Sequence, residues 1–327
     1  MSENTQEMTD AKTVQAIQAA AKQGNAQAQW DLAVCYAQGN GVEQDDTTAF
    51  SWACKAAENG LEQAAKYVLK AYEKGSEELG IQPDLNKLVE WADKLSAAGS
   101  NAGRYYYANL FMSNDNARRQ INIKVAYERI REAANEGDIP CMFVAYNIGG
   151  LFAAVNFEAY KDYKTAIAIL QDVLSWTEKL EQAEFAISDS EKAVDWYLYG
   201  QCLLKQNLDS EAVLWFKKAM PWNVNAEMWY GIWLSSEGGR TNNISLFKES
   251  ASHLLHAVKS EDDNKEKQLE AFAYYTLAKL ARNGFGMNVD MDSSYQWMCR
   301  AAELGFEDAK NELPRYHKKL FGGYTYK

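Results

Sequence analysis

Histidine, proline and paired cysteine are scarce here: three histidines, four prolines and no C-x-x-C in 327 residues. Three histidines leave little material for a metal centre, which ordinarily needs several His, Cys or carboxylate ligands converging on one point. The five cysteines, Cys35, Cys54, Cys141, Cys202 and Cys299, are odd in number and widely spaced. That excludes a disulfide framework and fits buried thiols in a reducing, cytoplasmic setting. No phosphate-binding G-x-x-x-x-G-K-S/T, nucleophile elbow G-x-S-x-G or zinc-binding H-E-x-x-H is present. Basic residues are outnumbered 34 to 45, a net charge of -11. A chain that holds nucleic acid by neutralising phosphates needs the opposite balance. The opening MSENTQEMTDAK lacks the basic and apolar regions of a secretory leader. We find no run of eighteen apolar residues and therefore expect no membrane span.

What is abundant is apolar and aromatic material, 47% and 13% of the chain, and it is arranged as a repeat. Residues 26–60 and 271–305 align without gaps at an offset of 245, with thirteen identities in thirty-five positions. Ala26, Ala28, Leu32, Ala33, Gly39, Gly41 and Asp45 return as Ala271, Ala273, Leu277, Ala278, Gly284, Gly286 and Asp290. Trp52, Cys54, Ala56, Ala57, Glu58 and Gly60 return as Trp297, Cys299, Ala301, Ala302, Glu303 and Gly305. Ala28, Leu32 and Tyr36 stand at i, i+4 and i+8, one stripe of a first helix. Gly39 and Gly41 end it, because glycine takes positive φ at little cost. Asp45 or Asp46 caps a second helix whose inner face is Ala49, Trp52 and Ala56. The frame persists inward through Gly60, Ala64, Tyr72, Gly75, Trp91 and Gly99, then Ala126, Ala133, Ala134 and Gly137.

With small-x-small, Leu-Ala, Tyr, G-x-G-V, Asp, Trp, Ala-Ala and Gly in register, residues 24–60 resemble the Sel-one-like repeat (SLR). That unit is a relative of the tetratricopeptide repeat. Residues 193–226, with Trp196, Tyr199, Gly200, Leu203, Ala212, Phe216 and Ala219, are closer to a tetratricopeptide unit. The stretches 137–182 and 222–265 read as helix pairs of undefined register. The resemblance implies an all-α fold: a right-handed superhelical solenoid of about seven helix-turn-helix repeats with capping helices. We expect a disordered segment at 1–10, a single SLR/TPR-like array over 11–320 and a tail at 321–327. Within the array, 11–23 is expected to cap one end and a helix over 306–320 the other. Expanded turns are expected at 76–87, 113–121 and 236–243. The secreted branch of the family carries a cysteine pair in each repeat, and here only one cysteine recurs.

By the same resemblance, the fifth and ninth positions of each first helix line a concave surface, where solenoids bind their ligands. These are Trp30, Lys66, Tyr105, Tyr197 and Tyr275, and Val34, Lys70, Asn109, Gln201 and Lys279. We take Trp30, Lys66, Lys70, Tyr105, Asn109, Tyr197, Gln201, Tyr275 and Lys279 as the candidate binding set. Tyrosine and tryptophan are favoured at protein-binding hot spots, and Lys66, Lys70 and Lys74 form a basic stripe at i, i+4 and i+8. The alternative for both is structural, the aromatics as inter-repeat core and the lysines as a solvated face. Some tetratricopeptide proteins hold a peptide terminus with a Lys, Asn and Arg set. Only Lys66 and Asn109 approach it, and Tyr106 stands where a polar residue is wanted, so that clamp is not expected.

The expected function is a non-enzymatic, cytoplasmic scaffold or adaptor that binds a protein or peptide and needs no cofactor. Its partner is expected to be basic overall, or to touch the chain through an acidic segment; nucleic acid and membrane are not expected. A narrower form, by family resemblance, is an immunity-type inhibitor of a bacterial toxin. Two alternatives come from other classes. One is a metal-dependent or thiol enzyme using His253 and His256, which stand three apart, or a cysteine. The other is a self-assembling structural array.

Overall fold

The computed structural model describes residues 3–320 and 322–327, with side chains described from Thr13 onward except at 321. The described residues form seventeen α-helices and one small hairpin. Contacts divide the chain into two compact units, Met1–Ala153 with Gln171–Phe185, and Ala154–Leu170 with Ala186–Lys327.

In the first unit, α1 (Glu3–Lys22) precedes the pair α2 (Ala26–Gln38) and α3 (Asp46–Glu58). The pair α4 (Glu62–Lys74) and α5 (Leu85–Ala97) follows. Then α6 (Asn101–Ser113) packs on α8 (Ile123–Asn135), with the single turn α7 (Asp115–Arg118) in their connection. The unit ends with α9 (Ile139–Val155) against the second half of α10 (Tyr163–Gln182). In the second unit, α11 (Asp189–Lys205) pairs with α12 (Asp209–Ala219), and α13 (Val224–Thr241) with α14 (Ile244–Lys259). Next, α15 (Lys267–Asn283) pairs with α16 (Met291–Glu303), and α17 (Glu307–Glu312) packs on α16. The chain is thus an all-α repeat solenoid of seven helix pairs.

The sequence specifies each joint. Asp45 accepts the Thr48 N–H at 2.9 Å and caps α3, and Asp290 accepts the Ser293 N–H at 3.0 Å at the equivalent place on α16. Asp84, Asn122, Asp162 and Asn243 do the same at α5, α8, α10 and α14, whereas α12 starts at Leu208 with no side-chain cap. Each such oxygen satisfies an N–H that the first turn leaves open. Between pairs, the Ala-Ala-x-x-Gly signature makes a left-handed stop. Leu61 N–H bonds Ala56 O and Gly60 N–H bonds Ala57 O, both at 3.0 Å, with Gly60 at φ 90°. Phe306, Gly305, Ala301 and Ala302 repeat this geometry, the six-to-one and five-to-two closure favouring glycine.

Small residues then set the helix spacing. A methyl at Gly103 would fall on the Leu95 carbonyl carbon and the Ser96 nitrogen, so α6 crosses α5 backbone to backbone. Gly149 and Gly200 instead admit Val173 and the Phe216 ring. Trp176 on α10 is 1% exposed, and its Nε1 donates to Asn135 Oδ1 at 3.1 Å.

Residues 3–10 were expected to be disordered but are helical, continuing α1 without a glycine or proline to break it; residues 1 and 2 lie outside the described residues. The single array was expected over 11–320, and its contacts are grouped in the two units above. The stretch 236–243 is not an expanded turn, since α13 runs to Thr241 and turns on Asn242 at φ 53°. Asparagine tolerates that left-handed conformation, and Gly238 lets the Phe247 ring close against the helix, about 3.1 Å from where a methyl would sit.

The closing helix stops at Glu312, where Pro314 enters a 3₁₀ turn, and the supposed tail is a strand. Here β1 (Tyr316–Lys318) pairs antiparallel with β2 (Tyr324–Tyr326). Tyr324 stacks on Tyr295 at 3.8 Å, and Tyr326 lies between the Arg282 and Arg315 guanidiniums at 3.9 and 4.6 Å. Last, Ile139–Tyr160 is long and apolar enough to cross a membrane by length and composition, contrary to our reading of the sequence. More than half of its apolar window is buried inside the protein, as in the core helix of a packed domain.

Candidate functional site

Two concave regions lie on the first helices of the pairs, one within each unit. In the first unit, α4, α6 and the start of α9 enclose a cleft of about 330 Å³, lined by Lys66, Lys70, Tyr105, Tyr106, Asn101 and Asp138 among others. It is at the small end of ligand-pocket sizes, roughly 300–1,000 Å³. Lys66 and Lys70 are exposed and Tyr105 half-buried, its ring edge-on to Tyr106 at 5.8 Å. The Tyr106 hydroxyl donates to Glu73 Oε2 at 3.1 Å; burial first, then the Glu73 charge, pushes that phenol up to about 12.

In the second unit, an apolar pocket of about 370 Å³ is walled by Leu204, Val213, Phe216, Trp229, Trp233 and Phe272. It shares Ile232, Ser236 and Phe272 with a neighbour of about 340 Å³ that reaches Tyr275, Lys279 and Phe285. Together they are lined mainly from α13 and α15, with Leu204 of α11, Val213 and Phe216 of α12 and Phe247 of α14 at their edges.

The nine candidate residues separate into distinct environments. Lys66, Lys70 and Tyr105 meet in the first cleft, and Lys279 with Tyr275 edges the second groove. Trp30 is half-buried and packs edge-on against Tyr67 at 5.6 Å, away from the cleft lining. Asn109, half-buried, is one turn beyond Tyr105 and does not line the cleft. Tyr197 and Tyr275 are 7% and 9% exposed, and their hydroxyls donate to Glu266 and Glu312, each at 2.7 Å. Gln201 completes the first of these bonds, its Nε2 donating to the Tyr197 hydroxyl at 2.9 Å. Lys279 sits 5.2 Å from the Tyr275 ring centre, over its face.

Our sequence reading missed Tyr106, Trp229, Trp233 and Phe272. Trp229 and Trp233 are one helical turn apart on α13, a pairing visible in the sequence, but the register of 222–265 was undefined.

The residues considered for chemistry are held otherwise. His253 and His256 both direct Nδ1 at the buried Glu227, at 3.1 Å to Oε1 and 2.8 Å to Oε2. Among the described residues, no group of three or more His, Cys, Asp or Glu side chains is placed to share a metal ion. Burial pushes the Cys54 thiol up to about 12, with the Glu58 charge adding to it, and burial alone does the same for Cys202. Such thiols carry almost no thiolate, the form a nucleophile needs.

Comparison with known proteins follows the repeat signal. The family profile of the Sel1 repeat matches residues 26–61, 183–219 and 269–306. The outer two matches are the segments whose recurrence is plainest in the sequence, and the middle one spans α11 and α12. No curated protein of similar sequence was found. One solved structure that matches is a protective antigen present in uropathogenic Escherichia coli strains, described as displaying an SLR fold. It is 19% identical with a TM-score of 0.40, covering 93% of this chain. The chain spans 59% of that protein's length. A Sel1 repeat protein from Oxalobacter formigenes is likewise 19% identical with a TM-score of 0.37, covering 94% of this chain and 81% of its own.

Proposed function

We propose that this chain, three stretches of which match the Sel1 repeat, is a Sel1-like repeat protein of the tetratricopeptide-like superfamily that binds another protein along the first helices of its two units. Sel1-repeat proteins serve protein–protein interaction. What supports the location is the groove of the second unit. Trp229, Trp233 and Phe272 are half-buried and line it, Trp229 also stacking on Phe216 at 5.9 Å and Phe272 on Phe306 at 5.4 Å. Large aromatics at the base of a groove are the residue types on which binding energy concentrates. The unit-one cleft adds exposed lysines and a half-buried tyrosine on the corresponding helices.

The role is that of a scaffold or adaptor and not of a catalyst. The histidines are tied to Glu227, and Cys54 and Cys202 are held as thiols. An immunity-type inhibitor is the narrower form of this reading, and the surplus of eleven negative charges supports it by favouring a basic partner.

Photo-crosslinking in the native host tests the location. A photoreactive residue replaces Trp233 or Tyr105 in one set of variants, and exposed Lys87 or Lys259 on second helices in another. One stoichiometric partner recovered from the first set alone is the expected result. Equal capture from both sets, or a product that is only this chain bonded to itself, would replace the reading with outer-face binding or self-assembly.

A further inference from the structure

We propose that the unit-one cleft receives an extended acidic segment of the partner, with carboxylates two residues apart meeting Lys66 and Lys70; this rests on the protein-binding reading above. The case begins with which charges in the cleft are already used. Glu62 lines it, but one of its oxygens accepts the Ser100 hydroxyl at 2.8 Å and the other the Ala102 N–H, closing the start of α6. Asp138 lines it too, and its Oδ1 accepts the Cys141 N–H at 2.9 Å at the start of α9. Both carboxylates are turned to helix ends, where amide dipoles already attract them.

The cations are in the opposite condition. Among the described residues, neither Lys66 nor Lys70 has a carboxylate within ion-pair distance. The Tyr105 hydroxyl likewise has no partner among the described residues. The cleft therefore offers three donors with no protein partner, two on α4 and one on α6, in a chain whose net charge is -11. Lys74, exposed one turn further along α4, extends the same edge.

Spacing selects the shape of the ligand. Side chains at i and i+4 of a helix are about 5–6 Å apart at Cβ. Alternate residues of an extended chain lie on one face, roughly 6.6–6.8 Å apart. An acidic-x-acidic strand thus places its two carboxylates opposite Lys66 and Lys70, with its backbone against the Tyr105 ring and hydroxyl. A long polyanion such as nucleic acid meets the remaining negative surface and is disfavoured. A short acidic stretch inside a neutral or basic partner satisfies both the local and the overall charge.

The test uses the full chain and fluorescein-labelled, end-blocked peptides. One carries Glu-x-Glu-x-Glu in a Gly/Ser/Tyr background; the others replace every Glu by Gln or by Lys. At low ionic strength the Glu peptide should bind at least tenfold more tightly than the Gln peptide. The preference should shrink at 0.5 M salt, where the screening length drops to a few ångströms. Lys66→Glu/Lys70→Glu, checked for unchanged helicity, should lose that preference and bind the Lys peptide instead. Lys259→Glu/Lys267→Glu, an equal charge change on exposed lysines of the second unit, should retain it.

Equal binding of the Glu and Gln peptides, or a preference that survives Lys66→Glu/Lys70→Glu, overturns the proposal. So does a single-stranded oligonucleotide of equal charge that displaces the Glu peptide. If the cross-linking above still captures a partner from Trp233, such a result removes the acidic-segment assignment alone and leaves the interaction reading standing.

Discussion

The Tyr197 hydroxyl donates to Glu266 Oε1 at 2.7 Å across sixty-nine residues of chain, from the first helix of one pair to the cap of a helix two pairs later. Tyr275 on α15 makes a bond of the same length, 2.7 Å, to Glu312 Oε1 at the end of α17. Burial, reinforced by the acceptor's charge, raises both phenols, so each stays a neutral donor. These two members of the expected binding set hold the second unit together.

A direct consequence separates structural from contacting members of that set. Tyr197→Ala and Tyr275→Ala should each lose about 3–5 kcal/mol of stability, the usual range for a buried aromatic. Tyr197→Phe should lose about 1.5–3 kcal/mol, since the hydroxyl bonds a charged acceptor. Lys66→Ala and Lys70→Ala should stay within roughly 0.5 kcal/mol, as surface changes do. Urea denaturation of each variant measures this.

Gly103→Ala should be among the most damaging single-methyl changes in the first unit. The added carbon meets backbone of α5, which cannot rotate aside as a side chain would. Overpacking typically costs about 1–3 kcal/mol, occasionally more. Gly239→Ala, with open space around it inside a helix, should be neutral or stabilising by up to about 1 kcal/mol. Thermal unfolding of the two variants side by side gives the comparison.

Acid should loosen the C-terminal end through Glu312. Burial works against its ionisation, but hydrogen bonds from Arg282, Tyr275 and Tyr326 outweigh that and hold its carboxyl below 4.5. A depressed carboxyl contributes stability above its unfolded value, roughly 4.3, and loses it as pH falls through the folded value. The melting temperature should therefore fall as pH is lowered from about 5 towards 3. Glu312→Gln should start lower at neutral pH and fall less steeply over that window. Parallel declines for the two proteins would remove Glu312 from the account.

Thiol reactivity should be low at Cys54 and Cys202. A thiol at about 12 has roughly a thousandth of the thiolate at pH 8 that an ordinary thiol near 9 carries, so labelling should slow by about that factor. Timed alkylation followed by peptide mass mapping, native against unfolded, reads the ratio at each cysteine. Native labelling as fast as unfolded would reopen a thiol-based activity.

The ends of the array were legible because their signals are local. Gly39 and Gly284 both adopt φ 70°, and Asp45 and Asp290 both cap, so the same residues return wherever the same joint is built. The centre was opaque for two physical reasons. α9 is apolar on nearly every side, which leaves no amphipathic period to set a register. Gly238, Gly239, Asn242 and Asn243 look like a loop, yet packing of Phe247 against Gly238 keeps the first two helical. The site divided in the same way. Lys66, Lys70 and Tyr105 stand on well-framed helices, so the resemblance could give each a position within its repeat. Trp229 and Trp233 belong to the unframed α13, so nothing local told their groove face from core. The C-terminal hairpin was missed because its strength comes from Tyr324 and Tyr326 meeting Tyr295, Arg282 and Arg315, contacts that are distant in sequence.

The central claim is that the first helices make contact with a partner protein. Hydrogen–deuterium exchange of the full chain, with and without the partner captured by cross-linking, tests it most directly. Slowed exchange in α4, α6 and the start of α9, or in α13 and α15 with the groove-lining turns of α11 and α12, and with α3, α5 and α8 unchanged, is the predicted result. Protection confined to those second helices, or to the connections at 75–84 and 114–122, would contradict it.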